Sequence, residues 1–260
     1  VGNLFDLTGR VAIVTGGNGG IGLGIAEGLA AQGCAVSIWG RNAGKNAAAA
    51  ERLQAHGAPV QALVCDVADA AAAARATDEV LGRFGRIDGC FANAGIGGGG
   101  RKPFTERTAE EWRRMFGINL DGVFHAFQPV VRHMVARAGT GDAFGRLVAT
   151  SSMASLFGTP RNEHYAASKA AINSLIQALA VEQARHGITA NAILPGWIDT
   201  EMTEGLQAND KFMAAAVPRI PLRRFGTPQD FAGIAVYLMS PASAYHTGDT
   251  IVIDGGYSKF

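Results

Sequence analysis

A chain of 260 residues with 48% hydrophobic residues and a formal net charge of +1 can bury a sizeable core, and it has no basic block to serve as a nucleic-acid surface. No apolar run nears the roughly 18 residues that a membrane-spanning helix needs, and the opening VGNLFDLTGRVAIVTGG has neither the charged start nor the apolar middle of a secretion signal. Cys34, Cys65 and Cys90 are odd in number, far apart and each in or beside an apolar segment, so buried thiols in a reducing, cytoplasmic setting are expected.

The first predicted strand is RVAIVT (10–15). It runs into TGGNGGIGLG (15–24), which opens a helix. A loop without side chains lets a pyrophosphate lie against a helix N-terminus, where free N–H groups and the dipole favour negative charge. The literal G-x-G-x-x-G spacing falls on Gly17, Gly19 and Gly22. The alternative phosphate loop G-x-x-x-x-G-K-S/T fails, because no lysine follows the glycines. The second strand, AVSIW (35–39), leads into Gly40 and Arg41, where a dinucleotide fold often carries an acid for the adenosine ribose. Glycine leaves room there. A guanidinium can pair with a 2′-phosphate that a carboxylate would repel, so NADP is favoured over NAD, although Arg41 could equally be solvated or stack on adenine.

VQALVC (60–65) and DGCFAN (88–93) are the next strands, with the alanine-rich helical segment AAAARATDEVLGRFG between them. The glycine run GIGGGGRKP (95–103) interrupts the pattern. A long helical stretch around Glu110–Ala136 follows; Glu110-Glu111 fit a solvated face, and Trp112 and Phe116, one turn apart, fit core or a subunit contact. GRLVATS (145–151) is a strand, and Tyr165–His186 is a second long helix. ITANAIL (188–194) precedes the long segment 196–226. Thr227-Pro228-Gln229-Asp230 then restarts a helix with a cap, a first-position proline and a third-position acid, and TIVID (250–254) is the last strand.

Strand–helix alternation of this kind means parallel strands joined by right-handed crossovers. The expected fold is one α/β domain over residues 1–260, a Rossmann-like doubly wound parallel sheet of about seven strands. Ligands in such sheets bind beyond the carboxyl ends of the strands, so 95–103, 153–164 and 196–226 should border the site. The six histidines show no ligand spacing, and no metal is expected.

Together these residues resemble the short-chain dehydrogenase/reductase family over essentially the whole chain. The resemblance is carried by Thr15-Gly16, Gly20 and Gly22 (T-G-x-x-x-G-x-G), Asp66-Val67, Asn93-Ala94-Gly95, Asn119, Ser152, the Y-x-x-x-K pair Tyr165 and Lys169, and Pro195-Gly196. Family members usually read N-N-A-G where this chain has Ala92-Asn93-Ala94-Gly95. The resemblance shifts the glycine frame to Gly16, Gly20 and Gly22, with Asn18 and Ile21 in the same loop. It implies that Asp66 and Val67 hold adenine, that Asn93, Ala94 and Gly95 line the coenzyme, that Pro195, Gly196 and Ile198 also bind it, and that Thr200 contacts its nicotinamide end. It also implies a homotetramer of a chain ending in TGDTIVIDGG.

Hydride transfer to a carbonyl leaves negative charge on oxygen, and a positioned acid must supply a proton. Free tyrosine, with a pKa near about 10, is a reluctant partner. A lysine one helical turn away is expected to lower the Tyr165 value by roughly 1–3 units, and by resemblance Lys169 also bonds the nicotinamide ribose. A serine at the end of GRLVATS can donate to the substrate oxygen; Ser151 and Ser152 both qualify by chemistry, and the family spacing selects Ser152. Asn119 either satisfies backbone within its helix or, by resemblance, shapes a water-linked proton path to Lys169. Met153 and Trp197 are expected beside substrate, and His164, about 100° round the helix from Tyr165, is a pocket wall or surface residue.

The expected activity is therefore an NAD(P)-dependent interconversion of a ketone and a secondary alcohol, with a 3-oxoacyl-thioester reductase and a sugar or polyol dehydrogenase both open. A coenzyme-binding regulator without turnover would be expected to lose Tyr165 or Lys169. An enoyl reductase resembles a branch with six residues between tyrosine and lysine, against three here.

Overall fold

The computed structural model describes residues 3–98 and 102–259. Seven strands form one sheet: β1 (Val11–Thr15), β2 (Ala35–Gly40), β3 (Val60–Val64), β4 (Gly89–Ala92), β5 (Gly145–Thr150), β6 (Ile188–Pro195) and β7 (Thr250–Ile253). Their order is β3-β2-β1-β4-β5-β6-β7, and every pairing is parallel. The order reverses between β1 and β4, and a crevice opens beyond the carboxyl ends of those strands. All seven predicted strands are present, shifted by at most a residue or two at their ends.

β1, β2, β4, β5 and β6 are buried along their whole length. This is why they read as continuous apolar runs: helices cover both faces. On one face lie α3 (Ala70–Phe84), the helix pair α4 (Ala109–Phe116) and α5 (Gly122–Ala138), and α6 (Glu163–Gln183). Ile13, Val80, Phe127, Leu147, Ile172 and Leu194 belong to this core. On the other face, α1 (Gly20–Ala31), α2 (Ala43–Gln54) and a later helix, α9 (Ala232–Met239), pack around Val14, Ile25, Leu53, Phe91, Ile193 and Leu238. The segment after β6 carries α7 (Glu204–Gln207) and α8 (Asp210–Ala216). The restart at Thr227 holds: Thr227 and Asp230 form a reciprocal capping box, with Pro228 at the first position.

Between α4 and α5 the chain does not break. Gly117–Asp121 is a turn of π-helix inside the stretch expected as regular helix. Such insertions occur most often at functional sites, and this one carries Asn119.

The amino ends of the strands are tied by Asp88, fully buried. Its carboxylate accepts from Val11 N at 3.0 Å and from Arg86, Arg137 and Arg10 at 2.6, 2.9 and 3.2 Å. Burial alone would raise this carboxyl's pKa, but the Arg86 and Val11 hydrogen bonds and the Arg137 and Arg86 charges hold it below its ordinary value. This knot lies at the opposite end of the sheet from the crevice.

Candidate active site

The last residues of β1, β4 and β5 converge on the crevice. Thr15 ends β1, and its hydroxyl accepts from the N–H groups of Asn93 and Ala94 at 3.0 Å each. Asn93 in turn donates to Thr15 O at 3.2 Å and accepts from the Thr150 hydroxyl at 3.1 Å. One amide thus stitches three adjacent strand ends, which makes a rigid floor for the site.

The glycine loop rises from that floor. Gly16 sits at φ +65°, a conformation that suits glycine. A Cβ on Gly22 would stand 2.2 Å from Gly16 O, so the loop closes on itself only without side chains; beside Gly19 the space is open. α1 starts at Gly20 with no side-chain cap and no acid in its first turn. Its first-turn N–H groups are therefore available to an anion. The Ile21 side chain packs on the core, which leaves its backbone as the group that faces a ligand. These features fit a pyrophosphate.

At the end of β2, Gly40 lies against two amides: a Cβ there would be 2.2 Å from Asn18 Nδ2 and 2.5 Å from Asn46 Oδ1. Asn18 donates to Asn46 at 2.6 Å, and the buried Asn46 donates to Gly40 O and Leu63 O at 2.9 Å each. The floor at the end of β2 is made of neutral amides, with the exposed Arg41 beside it. Asp66 and Val67 follow β3; Asp66 is exposed and Val67 buried. Asn46 was missed by the sequence reading. Its signal was the Asn42 cap, whose side chain accepts from Lys45 N at 3.0 Å and so fixes Lys45 and Asn46 in the first turn of α2 next to Gly40.

The four expected proton-handling residues meet at the carboxyl end of β5. The structure separates the two serines. Ser151 donates to Lys169 O at 2.9 Å and is committed to holding α6; the Ser152 hydroxyl caps the turn Met153–Ser155, accepting from Ala154 N at 3.1 Å, and stands near enough to Tyr165 to favour the ionised phenol. Lys169, buried, donates its ammonium to Thr150 O at 2.7 Å. Its Nζ stands 5.9 Å from the Tyr165 ring centroid. Burial lowers the Lys169 pKa to about 8. Burial also raises the Tyr165 phenol, against a smaller lowering by the Ser152 hydrogen bond.

That is a correction to the expectation that Lys169 lowers Tyr165. The ammonium is engaged with the Thr150 carbonyl, and the cost of burying a phenolate exceeds the help from Ser152. The phenol is therefore held towards its protonated form.

Asn119 is fully buried and does not satisfy backbone in its own helix. Its Oδ1 accepts from Ile96 N at 2.8 Å, and its Nδ2 donates to Ile96 O at 3.1 Å and Ser168 Oγ at 3.2 Å. It pins the loop that follows β4 to α6. A Cβ on Gly95 would lie 3.1 Å from Asn119 Oδ1 and 3.5 Å from Lys169 Nζ, so Gly95 lets the chain pass close over both.

Residues 99–101 of the expected 95–103 border lie outside the described residues. Of the rest, Gly97 approaches Met202 and Gly98 approaches Asn162, so the segments 153–164 and 196–226 both come up against this border. Pro195 ends β6, Gly196 N donates to Ile253 O at 2.9 Å, Ile198 pairs with Gly226, and the Thr200 methyl lies over Gly20. Met153 is buried. Trp197 sits in an aromatic cluster with Phe212, Phe225 and Tyr257, at centroid distances of 5.2, 6.1 and 6.4 Å, and this cluster anchors the post-β6 segment. His164 is 2% exposed, so it is not a surface residue. Glu111, read as a solvated acid, closes a capping box with Thr108 and pairs with Lys102 at 2.7 Å. Trp112 is partly exposed and stacks on Phe116 at 4.9 Å. Among the described residues no cluster of His, Cys, Asp and Glu could hold a metal ion, and no helix is long and apolar enough to cross a membrane.

A family model described as enoyl-(acyl carrier protein) reductase matches residues 16–258. The chain is 35% identical over 254 residues to gluconate 5-dehydrogenase of Gluconobacter oxydans, covering 98% of this chain and 96% of that protein. It is 37% identical over 254 residues to a 3-oxoacyl-(acyl-carrier-protein) reductase of Chlamydia muridarum, covering 96% and 98%. Among solved structures, a gluconate 5-dehydrogenase from Burkholderia cenocepacia in complex with NADP and tartrate superposes with a TM-score of 0.91 at 36% identity, covering 99% of this chain and 98% of the other.

Proposed function

The chain belongs to the short-chain dehydrogenase/reductase family, an oxidoreductase acting between CH–OH and C=O, and we propose that its substrate is a hydroxy acid of the gluconate type and its coenzyme NADP. The coenzyme, when bound, supplies or accepts the hydride. The open first turn of α1 with Gly16, Asn18, Gly20, Ile21 and Gly22 holds its pyrophosphate. Asp66 and Val67 take the adenine, Arg41 the 2′-phosphate, and Asn93, Ala94, Gly95, Pro195, Gly196, Ile198 and Thr200 the remainder, with Lys169 on the ribose.

The observation that carries the reading is the meeting of Ser152, Tyr165 and the buried Lys169, whose ammonium is tied to Thr150 O, at the carboxyl end of β5, beside a glycine loop with an uncapped helix start. Ser152 orients the substrate oxygen. Tyr165, kept protonated by its partly buried setting, donates to that oxygen in reduction and receives the proton back in oxidation. Asn119 fixes the Gly95–Ile96 wall. Met153 and the segment 196–226, anchored through Trp197, border the substrate.

The gluconate-type reading is supported by the sugar-acid dehydrogenases among the relatives. The spacing of three residues between Tyr165 and Lys169 argues against enoyl reduction despite the wording of the family model. A second reading, 3-oxoacyl-thioester reduction, is supported by the relatives from Chlamydia and by the exposed Leu156, Phe157 and Met202 around the site. The deciding assay follows NADPH oxidation with 5-keto-D-gluconate and with an acetoacetyl thioester. The proposal expects kcat/KM at least about tenfold higher for the sugar acid; the reverse ranking replaces it with the second reading.

The protein is further proposed to be a cytoplasmic homotetramer. Support comes from three buried free cysteines and from an apolar groove lined by Phe124, Phe127, Val131, Leu175 and Leu179 between α5 and α6. Light scattering giving a monomer would remove the tetramer.

A further inference from the structure

Lys45 and Glu201 are 156 positions apart and meet across the coenzyme crevice. Lys45 stands in the first turn of α2, beside Gly40 and Arg41. Its ammonium contacts both carboxylate oxygens of Glu201, at 2.6 and 2.7 Å. Glu201 follows Thr200, whose methyl lies over Gly20, so this turn reaches from the substrate side, over the glycine loop, to the adenosine side.

The turn is built to stay there. The Thr203 hydroxyl donates to Ile198 O and Thr200 O at 2.5 and 3.0 Å and accepts from Thr200 N at 3.2 Å. Asp199 N donates to Gly226 O at 2.8 Å. The carboxylate is thus delivered by a stapled turn, not by a wandering side chain. Among the described residues Arg41 forms no ion pair, so the adenosine end has two cations, one free and one already held by an acid. Both partners of the Lys45–Glu201 pair are solvent-exposed, at 49% and 77%. Such a pair is weak and open to exchange for a stronger anion.

We propose that Lys45 is shared between Glu201 and the 2′-phosphate of NADP, so that Glu201, from the substrate-side segment, sets how strongly the chain prefers NADP over NAD. A phosphate carries more charge and more acceptor oxygens than a carboxylate, and it draws Lys45 from Glu201; NAD, without that phosphate, leaves the bridge closed. The inference rests on the coenzyme reading above and goes beyond it by making an acidic residue outside the adenosine pocket a determinant of selectivity.

The test is a double-mutant cycle on coenzyme affinity, read by quenching of protein fluorescence with NADPH and NADH and needing no substrate. Glu201→Gln frees Lys45 and should tighten NADPH about two- to fivefold, leaving NADH within about twofold. Lys45→Gln should weaken NADPH roughly tenfold. In the Lys45→Gln background, Glu201→Gln should then change NADPH affinity by less than about twofold. If Glu201→Gln tightens NADPH equally with or without Lys45, direct repulsion between carboxylate and phosphate explains the effect and the sharing is wrong. If it shifts NADPH and NADH alike, the selectivity role is wrong. If the unaltered protein binds neither coenzyme, the coenzyme reading fails together with this inference.

Discussion

Lys169 gives its ammonium to the carbonyl oxygen of Thr150 at 2.7 Å, and its own carbonyl receives the hydroxyl of Ser151, the residue after Thr150, at 2.9 Å. The end of β5 and the second turn of α6 are clamped together at one residue. This clamp places Ser152 against Tyr165, and it keeps a buried charge in the structure.

That charge has a measurable cost. Burial brings the Lys169 amine down to about 8, whereas in the unfolded chain it titrates near about 10.4. Between those values the unfolded state holds the extra proton, so stability rises with pH there, and the full cost is present below about pH 8. Lys169→Met should therefore unfold at higher urea at pH 7, by about 1–3 kcal/mol, with the gain fading towards pH 10, while turnover falls. An unchanged midpoint at pH 7 would mean the amine is not buried as described.

The two adjacent serines should separate cleanly. Ser152→Ala removes a donor to the reacting oxygen and should lower kcat by about 10²–10³-fold. It should also raise the Tyr165 titration further, since the Ser152 hydrogen bond is what lowers it. Ser151→Ala breaks one bond to Lys169 O and should cost about 1 kcal/mol of stability, with kcat changed far less. Steady-state kinetics beside urea unfolding on both variants checks this.

At the other end of the sheet, Asp88→Asn leaves three arginines around a neutral amide. It should cost about 3–5 kcal/mol, with kcat at 25 °C unaffected. The Asp88 carboxyl titrates below its ordinary value, so its stabilisation is present above about pH 4 and is lost as pH falls through the folded value. Acid unfolding of the variant should accordingly depend less on pH below about 4 than that of the unaltered chain.

Much of this was legible in the residues. Apolar runs covered on both faces announced the parallel strands, and the glycines of 16–22 announced a loop that closes on itself at the start of a helix. Tyr165 and Lys169 fell on one helix as their spacing implied. What could not be read were relationships set by tertiary contact. The π-turn at Gly117–Asp121 depends on Asn119 finding the backbone of Ile96. Ser151 and Ser152 are equivalent until α6 packs on one of them. The direction of the Tyr165 shift is set by how far the fold buries the phenol, which no spacing in the chain reveals. Glu111 reads as solvated in a run of acids, although Thr108 three residues before it completes a capping box, and the Lys45–Glu201 pair joins a helix start and a distant turn with no pattern to connect them.

The most direct measurement is kcat of Tyr165→Phe alongside its NADPH dissociation constant. A phenol that hands its proton to substrate oxygen predicts a fall in kcat of about 10²–10⁴-fold with coenzyme affinity within about twofold. A variant that turns over like the unaltered protein, with the coenzyme bound equally well, would contradict the role given to Tyr165.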